Sequence, residues 1–225
     1  MGQRLVRAKA RIRQAGIPFA VPSLADLPPR LGAVLDAIYA CYAEGWTDPA
    51  GTDPQRRNLA DEALWLSGLL ASLRPDEPEA LGLLSLMLHS HARRAARRDA
   101  AGQYVPLAAQ HTALWDARML REAEVDARRL LDATEAALHE DGDRLLSPPE
   151  QFQILKAMQG VADVLAQCAE GEGTTPAEQK GLRDQLRQTT SQLNLITTPF
   201  AGRRMDARVR QALTLALDRR RVIDD

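Results

Sequence analysis

Apolar residues recur at helical spacing along most of the chain. Leu31, Val34, Leu35, Ile38, Tyr39 and Tyr42 follow an i, i+3, i+4 rhythm, which marks one buried helix face. Val, Ile, Thr and Tyr never gather into an alternating run, so no strand is predicted. Punctuation between the periodic stretches sets the elements. A first helix is expected over about residues 3–15 with Gly16 as its stop, and a second over 31–44 ended by Gly45. Between them Pro18 and Pro22 favour an extended linker, because each proline turns its predecessor away from helix. Asp48-Pro49, Gly51 and Asp53-Pro54 mark residues 46–57 as a loop. Helices follow over about 58–73 and 76–98, separated by Pro75. The second of these runs from acids (Asp76, Glu77, Glu79) to bases (Arg93, Arg94, Arg97, Arg98), the gradient a helix dipole favours.

One long helix is expected over about 107–140, with Leu114, Met119, Leu120, Val125, Leu130, Leu131 and Leu138 on its apolar side. Asp141-Gly142-Asp143 should break it. Ser147-Pro148-Pro149-Glu150 and Thr175-Pro176-Ala177-Glu178 each combine an N-cap hydroxyl, Pro at the first helical position and Glu two residues on, the elements of a capping box. The helix behind the first runs to about residue 169. The helix behind the second carries Leu182, Leu186, Leu193 and Ile196 and should stop at Pro199, before a last helix over about 200–219. The fold class expected is all-α, with seven or eight helices: an N-terminal helical region (1–115) joined through the long helix to a C-terminal bundle (116–225). No internal repeat at a fixed period stands out.

Composition agrees with a globular chain, at 45% hydrophobic and 26% charged residues. Aromatics reach only 4%, so the core must come mainly from Leu, Ala and Val. A formal net charge of -1 argues against a chain-wide nucleic-acid footprint. Cys41 and Cys168 form no CxxC pair and read as reduced thiols. No apolar stretch approaches the roughly 20 residues of a membrane span, and the opening lacks the apolar core of a signal peptide. A cytoplasmic location and no membrane partner are expected.

The chemistry-bearing residues point away from catalysis. His89 and His91 sit two apart, about 200° around a helix, so they cannot jointly face one metal. His111 and His139 have no paired ligand by spacing. Glu122, Glu124 and Asp126 spread around a helix and read as a solvated face. Phosphate-cradling glycine motifs and nucleophile elbows are absent. No catalytic, cofactor-binding or metal residue is nominated, no cofactor is expected, and the chain is not expected to be an enzyme. Arg4, Arg7, Lys9, Arg11 and Arg13 offer at most a weak, salt-dependent phosphate contact, with a solvated helix as the favoured reading. No sequence-specific nucleic-acid binding is expected, since no recognition helix accompanies them. Trp46, Trp65 and Trp115 read as core or helix-packing residues.

Two family resemblances divide the chain. Gln3-Arg4-Leu5-Val6-Arg7-Ala8-Lys9, Ala15-Gly16-Ile17-Pro18-Phe19, Pro75-Asp76-Glu77-Pro78-Glu79 and Ala92-Arg93-Arg94-Ala95 carry the first. Residues 1 to about 120 thereby resemble the C-terminal extension of an extracytoplasmic-function RNA polymerase sigma factor. That resemblance implies a transcription-related regulatory module, with RNA polymerase or sigma domains as partners. The sigma factor's promoter-reading and polymerase-binding regions have no counterpart here. Ala117-Arg118-Met119-Leu120, Phe200-Ala201-Gly202-Arg203-Arg204-Met205-Asp206 and Val209-Arg210-Gln211-Ala212-Leu213 carry the second. Residues from about 116 to 213 resemble the C-terminal helical lid of an HscA-type, DnaK-like chaperone of iron–sulfur cluster assembly. The partner this implies is the chaperone's substrate-binding domain, absent here along with the nucleotide-binding domain. The patterns meet between Trp115 and Ala123, inside what should be one continuous helix. A chimera of two truncated families is the expectation, acting as a non-enzymatic helical scaffold or interaction protein. Lid faces left uncovered would favour self-association.

Overall fold

A computed structural model describes residues 10–11, 13–16, 30–46, 54–169 and 175–223, with side chains described for these except 54–58, 176 and 205–223. Six full-length helices follow one another: α1 (Leu31–Trp46), α2 (Pro54–Leu73), α3 (Pro78–His91), α4 (Ala117–Leu145), α5 (Pro148–Ala169) and α6 (Pro176–Ile223). No strand occurs among the described residues, only an isolated antiparallel bridge between Arg98 and Tyr104. The all-α expectation holds; among the described residues the full-length helices number six, where seven or eight were expected. At the N-terminus Ala10, Arg11, Arg13 and Gln14 are helical and end at Gly16, whose φ of +62° is the left-handed stop that glycine allows. The rest of the expected first helix and the proline linker lie outside the described residues. So does most of the expected loop, but α2 already begins at Pro54.

Four further expected boundaries are overturned, each by a contact that spacing does not reveal. The helix expected to reach residue 98 stops at His91 and continues as a 3-10 turn over Arg94–Arg97. Its arginines tie other elements rather than simply offsetting a dipole. Arg94 pairs with Asp61 at 3.0 Å, Arg97 donates to the Trp46 carbonyl and lies 4.0 Å from that ring's centroid, and Arg98 donates to the Gly102 carbonyl.

The long helix starts at Ala117 rather than near residue 107. Before it, Asp99 accepts from the Ala101 and Gln103 amides, Gly102 takes φ +77°, and two 3-10 turns fill Leu107–Ala109 and Thr112–Leu114. Asp116 then caps α4 by accepting from the Arg118 and Met119 amides. The two family resemblances therefore meet at a helix start, not within a continuous helix.

The same helix does not break at Asp141-Gly142-Asp143 but runs to Leu145. Asp141 is held by Arg204 and Arg144, and Gly142 is buried. Nor does Pro199 end α6. The hydrogen bond proline forfeits is the one to the Leu195 carbonyl, on a face exposed enough for water to replace it: Leu195 is 75% exposed. Beyond Pro199, Phe200 is buried and Arg203 and Arg204 bind two other helices, so tertiary contacts carry the helix onward.

The returning glutamate of each capping box is in place, and at the second Glu178 N–H also donates to Thr175 Oγ1 at 3.4 Å. Ser147 N–H and Oγ lie 2.8 and 2.6 Å from Glu150 Oε2; Thr175 N–H and Oγ1 lie 2.7 and 2.8 Å from Glu178 Oε2.

The main core ignores the boundary at residue 116. Ala71, Leu81, Leu84 and Leu88 from α2 and α3 pack with Ala123, Ala127 and Leu130 of α4, Ile154, Val161 and Leu165 of α5, and Leu186, Leu193 and Phe200 of α6. A second core joins α1, α2 and the other side of α3 through Leu31, Leu35, Ile38, Tyr42, Ala60, Ala63 and Met87. Since α3 contributes to both, it is buried nearly all round, as a helix apolar on every side must be.

Candidate functional site

The α3–α6 seam brings together residues about a hundred positions apart. The two helices run antiparallel, Gly82 lying against Asn194 and His89 sharing a small enclosed space with Arg187. A Cβ on Gly82 would come within 2.6 Å of Asn194 Oδ1, so any other residue here requires the Asn194 side chain to move. Ser85 Oγ donates to the Ala123 carbonyl at 2.9 Å, fastening α3 to α4. Asn194 Oδ1, Thr190 Oγ1 and His89 Nε2 are buried without a hydrogen-bond partner, an unusual concentration for one seam.

At its α3 C-terminal end the seam is strongly cationic. His89 is 2% exposed, and burial, reinforced by Arg187, Arg93 and Arg183, pulls its pKa down to about 3. The imidazole is therefore neutral near pH 7. Trp115 closes the same space with its indole N–H unpartnered.

At the opposite end, α6 locks α4 to α5. Arg204 donates to Asp141 Oδ2 and Glu140 Oε2, each at 2.8 Å, and lies over Phe200. Arg203 donates to Glu150 Oε1 at 2.9 Å. Hydrogen bonds from Arg203 and Ser147 hold the Glu150 carboxyl down to about 2. One acid thus closes a capping box and anchors a third helix. The Phe200-to-Arg204 part of the motif that carried the lid resemblance has a structural job in this chain.

Of the nominated basic residues, Arg11 and Arg13 are exposed, while Arg4, Arg7 and Lys9 lie outside the described residues. His89 and His91 diverge, His91 Nε2 lying 3.3 Å from Asp61 on α2. Glu122, Glu124 and Asp126 each face a different arginine, Arg118, Arg183 and Arg129. Trp46 stacks on Tyr42 and Trp115 is buried, but Trp65 is 62% exposed, contrary to its expected packing role. With Leu66, Leu69 and Leu73 it forms an exposed apolar stripe on α2. Spacing missed the Arg93, Arg183 and Arg187 cluster because its members converge only when α6 folds back on α3. For Arg204 the sequence did hold a signal, the motif around it.

A family model described as a family of unknown function (DUF6596) matches residues 30–131. An uncharacterized protein of Rhizobium meliloti (strain 1021) is 46% identical over 123 residues, covering 55% of this chain and 29% of that protein. Chaperone protein HscA homologs of Methylobacillus flagellatus and Pseudomonas putida are 42% and 43% identical over 97 residues. Each match covers 43% of this chain and 14% of the chaperone, in the chaperone's C-terminal region. The chain thus spans less than a third of the curated relatives it matches. No solved structure matches. No described helix is long and apolar enough to cross a membrane.

Proposed function

We propose that the chain is a non-enzymatic, cytoplasmic helical scaffold, a chimera of segments from two families. One observation carries this reading. The apolar face of the lid-like segment, through Leu130, Leu186, Leu193 and Phe200, is already packed with Leu81, Leu84 and Leu88 of the other segment. A lid whose inner face is filled in this way has little left with which to close over a peptide domain.

The test is direct binding of the purified chain to an HscA-type substrate-binding domain with its peptide, and to core RNA polymerase. The scaffold reading expects neither to bind measurably. Peptide retention comparable to that of a complete chaperone, or polymerase recruitment, overturns it.

A second reading, an interaction module for a protein partner, is favoured by the exposed Trp65, Leu66, Leu69 and Leu73 stripe, because contiguous exposed apolar surface marks binding sites more often than chance. Polymerase or sigma domains are the partner class that the N-terminal resemblance supplies. Polymerase binding abolished by Trp65→Ser together with Leu69→Ser selects this reading over the scaffold. Self-association through the stripe would show as a concentration-dependent mass lost in the same variant.

A further inference from the structure

The enclosed space between the end of α3, Trp115 and α6 has an imbalance of hydrogen-bonding capacity. Arg93, Arg183 and Arg187 bring three guanidinium groups, donors only, and the Trp115 indole is also a donor only. Against these stand two nearby carboxylates. Asp184 lies 3.3 Å from Arg187, its neighbour on the same helix, and Glu124 lies 3.9 Å from Arg183, too far for a hydrogen bond. Arg93 spends Nε on the His89 carbonyl at 3.3 Å and sets its guanidinium 5.9 Å from the Trp115 ring centroid. Asp184 is the one carboxylate among the residues lining the space, against three guanidinium groups. Two of the side chains lining it, each more than nine-tenths buried, carry a nitrogen without a hydrogen-bond partner: His89 Nε2 at 2% exposure and Trp115 Nε1 at 6%. An unsatisfied buried polar group is costly, and two on the lining of one space can share a partner.

We propose that this space is a binding site for a small free oxyanion of the phosphate or sulfate type, accepting from Trp115 Nε1, from His89 in its Nε2-protonated neutral form, and from Arg93, Arg183 and Arg187. The chemistry follows from the donor set. Only a ligand rich in acceptor oxygens satisfies an indole N–H, an imidazole N–H and guanidinium groups together, and charge-assisted hydrogen bonds to arginine are the strong kind. Three cations against two carboxylates leave a net positive charge for an anion to meet. Burial first, and then the charges of Arg187, Arg93 and Arg183, push the His89 pKa down, which agrees with a positive potential at this point.

As it stands the space is too tight for a water molecule. Arg183 and Arg187 line it with side chains 27% and 31% exposed, and they must move to admit an ion. That enclosure favours a free ion over a phosphoryl group borne by a larger molecule. The site is independent of the scaffold reading, which assigns no ligand to the chain.

The experiment uses the full chain and reads the Trp115 indole N–H directly by 15N–1H correlation, the resonance being the one lost in Trp115→Phe. Inorganic phosphate and, separately, sodium sulfate are titrated at constant ionic strength against chloride. The expected result is a saturable shift of that resonance with a parallel rise in unfolding temperature. Arg187→Gln, a partly exposed change that leaves the core intact, should weaken the apparent affinity at least about tenfold, the scale of one charge-assisted hydrogen bond. An unmoved resonance, a linear unsaturable shift, or an equal response in Arg187→Gln overturns the site. Adenosine monophosphate or a phosphoserine peptide serves as the second arm. A response to either as strong as to phosphate overturns the assignment to a free ion.

Discussion

At His89 an imidazole sits almost wholly out of water among three arginines, and its titration is a statement about stability. Its native pKa is depressed to about 3, whereas the unfolded chain titrates near the ordinary value of 6.5. Between those values the unfolded state binds a proton that the native state refuses. This contribution to stability is therefore complete above pH 6.5 and is lost as pH falls, by up to about 1.4 kcal/mol per pH unit. Urea unfolding in phosphate-free buffer should show a steeper loss from pH 7 to pH 5 in the parent than in His89→Gln; equal slopes would contradict the neutral, buried imidazole. Gly82 makes a second residue-scale prediction. Gly82→Ala places a methyl 2.6 Å from Asn194 Oδ1 and should destabilise by about 1–3 kcal/mol, the usual cost of overpacking. Adding Asn194→Ala opens that space and should recover most of the loss, so a double-mutant cycle measures whether the two residues meet.

Among the elements, α4 and α6 depend on partners that lie far away in sequence. Helix α4 passes through Asp141-Gly142-Asp143 because Arg204, 63 positions on, fixes Asp141 where it is 5% exposed. Asp141→Asn removes the negative charge opposite a guanidinium that is itself nearly buried. The expected destabilisation is about 3 kcal/mol, because breaking one side of a buried pair strands the other charge. Glu140, which also binds Arg204, moderates the effect. Amide exchange should rise in residues 138–146 and 200–204 together; exchange confined to one of these segments would show that the clamp does not couple the helices. Local sequence was sufficient at the capping boxes, whose residues all lie within four positions of each other. It was insufficient at Pro199 and at Asp141, where a local helix breaker is overruled by a tertiary contact.

For the whole molecule, the decisive feature is a core that takes side chains from both sides of residue 116. Lys180 of α6 adds a polar tie by donating to the carbonyls of Ala108 and Gln110 at 2.8 and 2.9 Å. A protease should find the exposed turn over residues 99–104, but the resulting fragments should stay together on size exclusion and unfold in one transition. Fragments that separate without denaturant, or two resolved transitions, would mean that the segments fold independently and meet only loosely.

The amino-acid sequence by itself determined that the chain is helical, where Gly16 stops a helix, and where both capping boxes start one. Each rests on interactions within a few residues, which composition and spacing report directly. The tertiary structure alone decided that α3 is shared by two cores, that α6 continues through a proline, and that three arginines, a histidine and a tryptophan converge on one space. Those outcomes depend on which helix faces lie opposite one another, and periodicity gives a helix its apolar face without naming what will cover it.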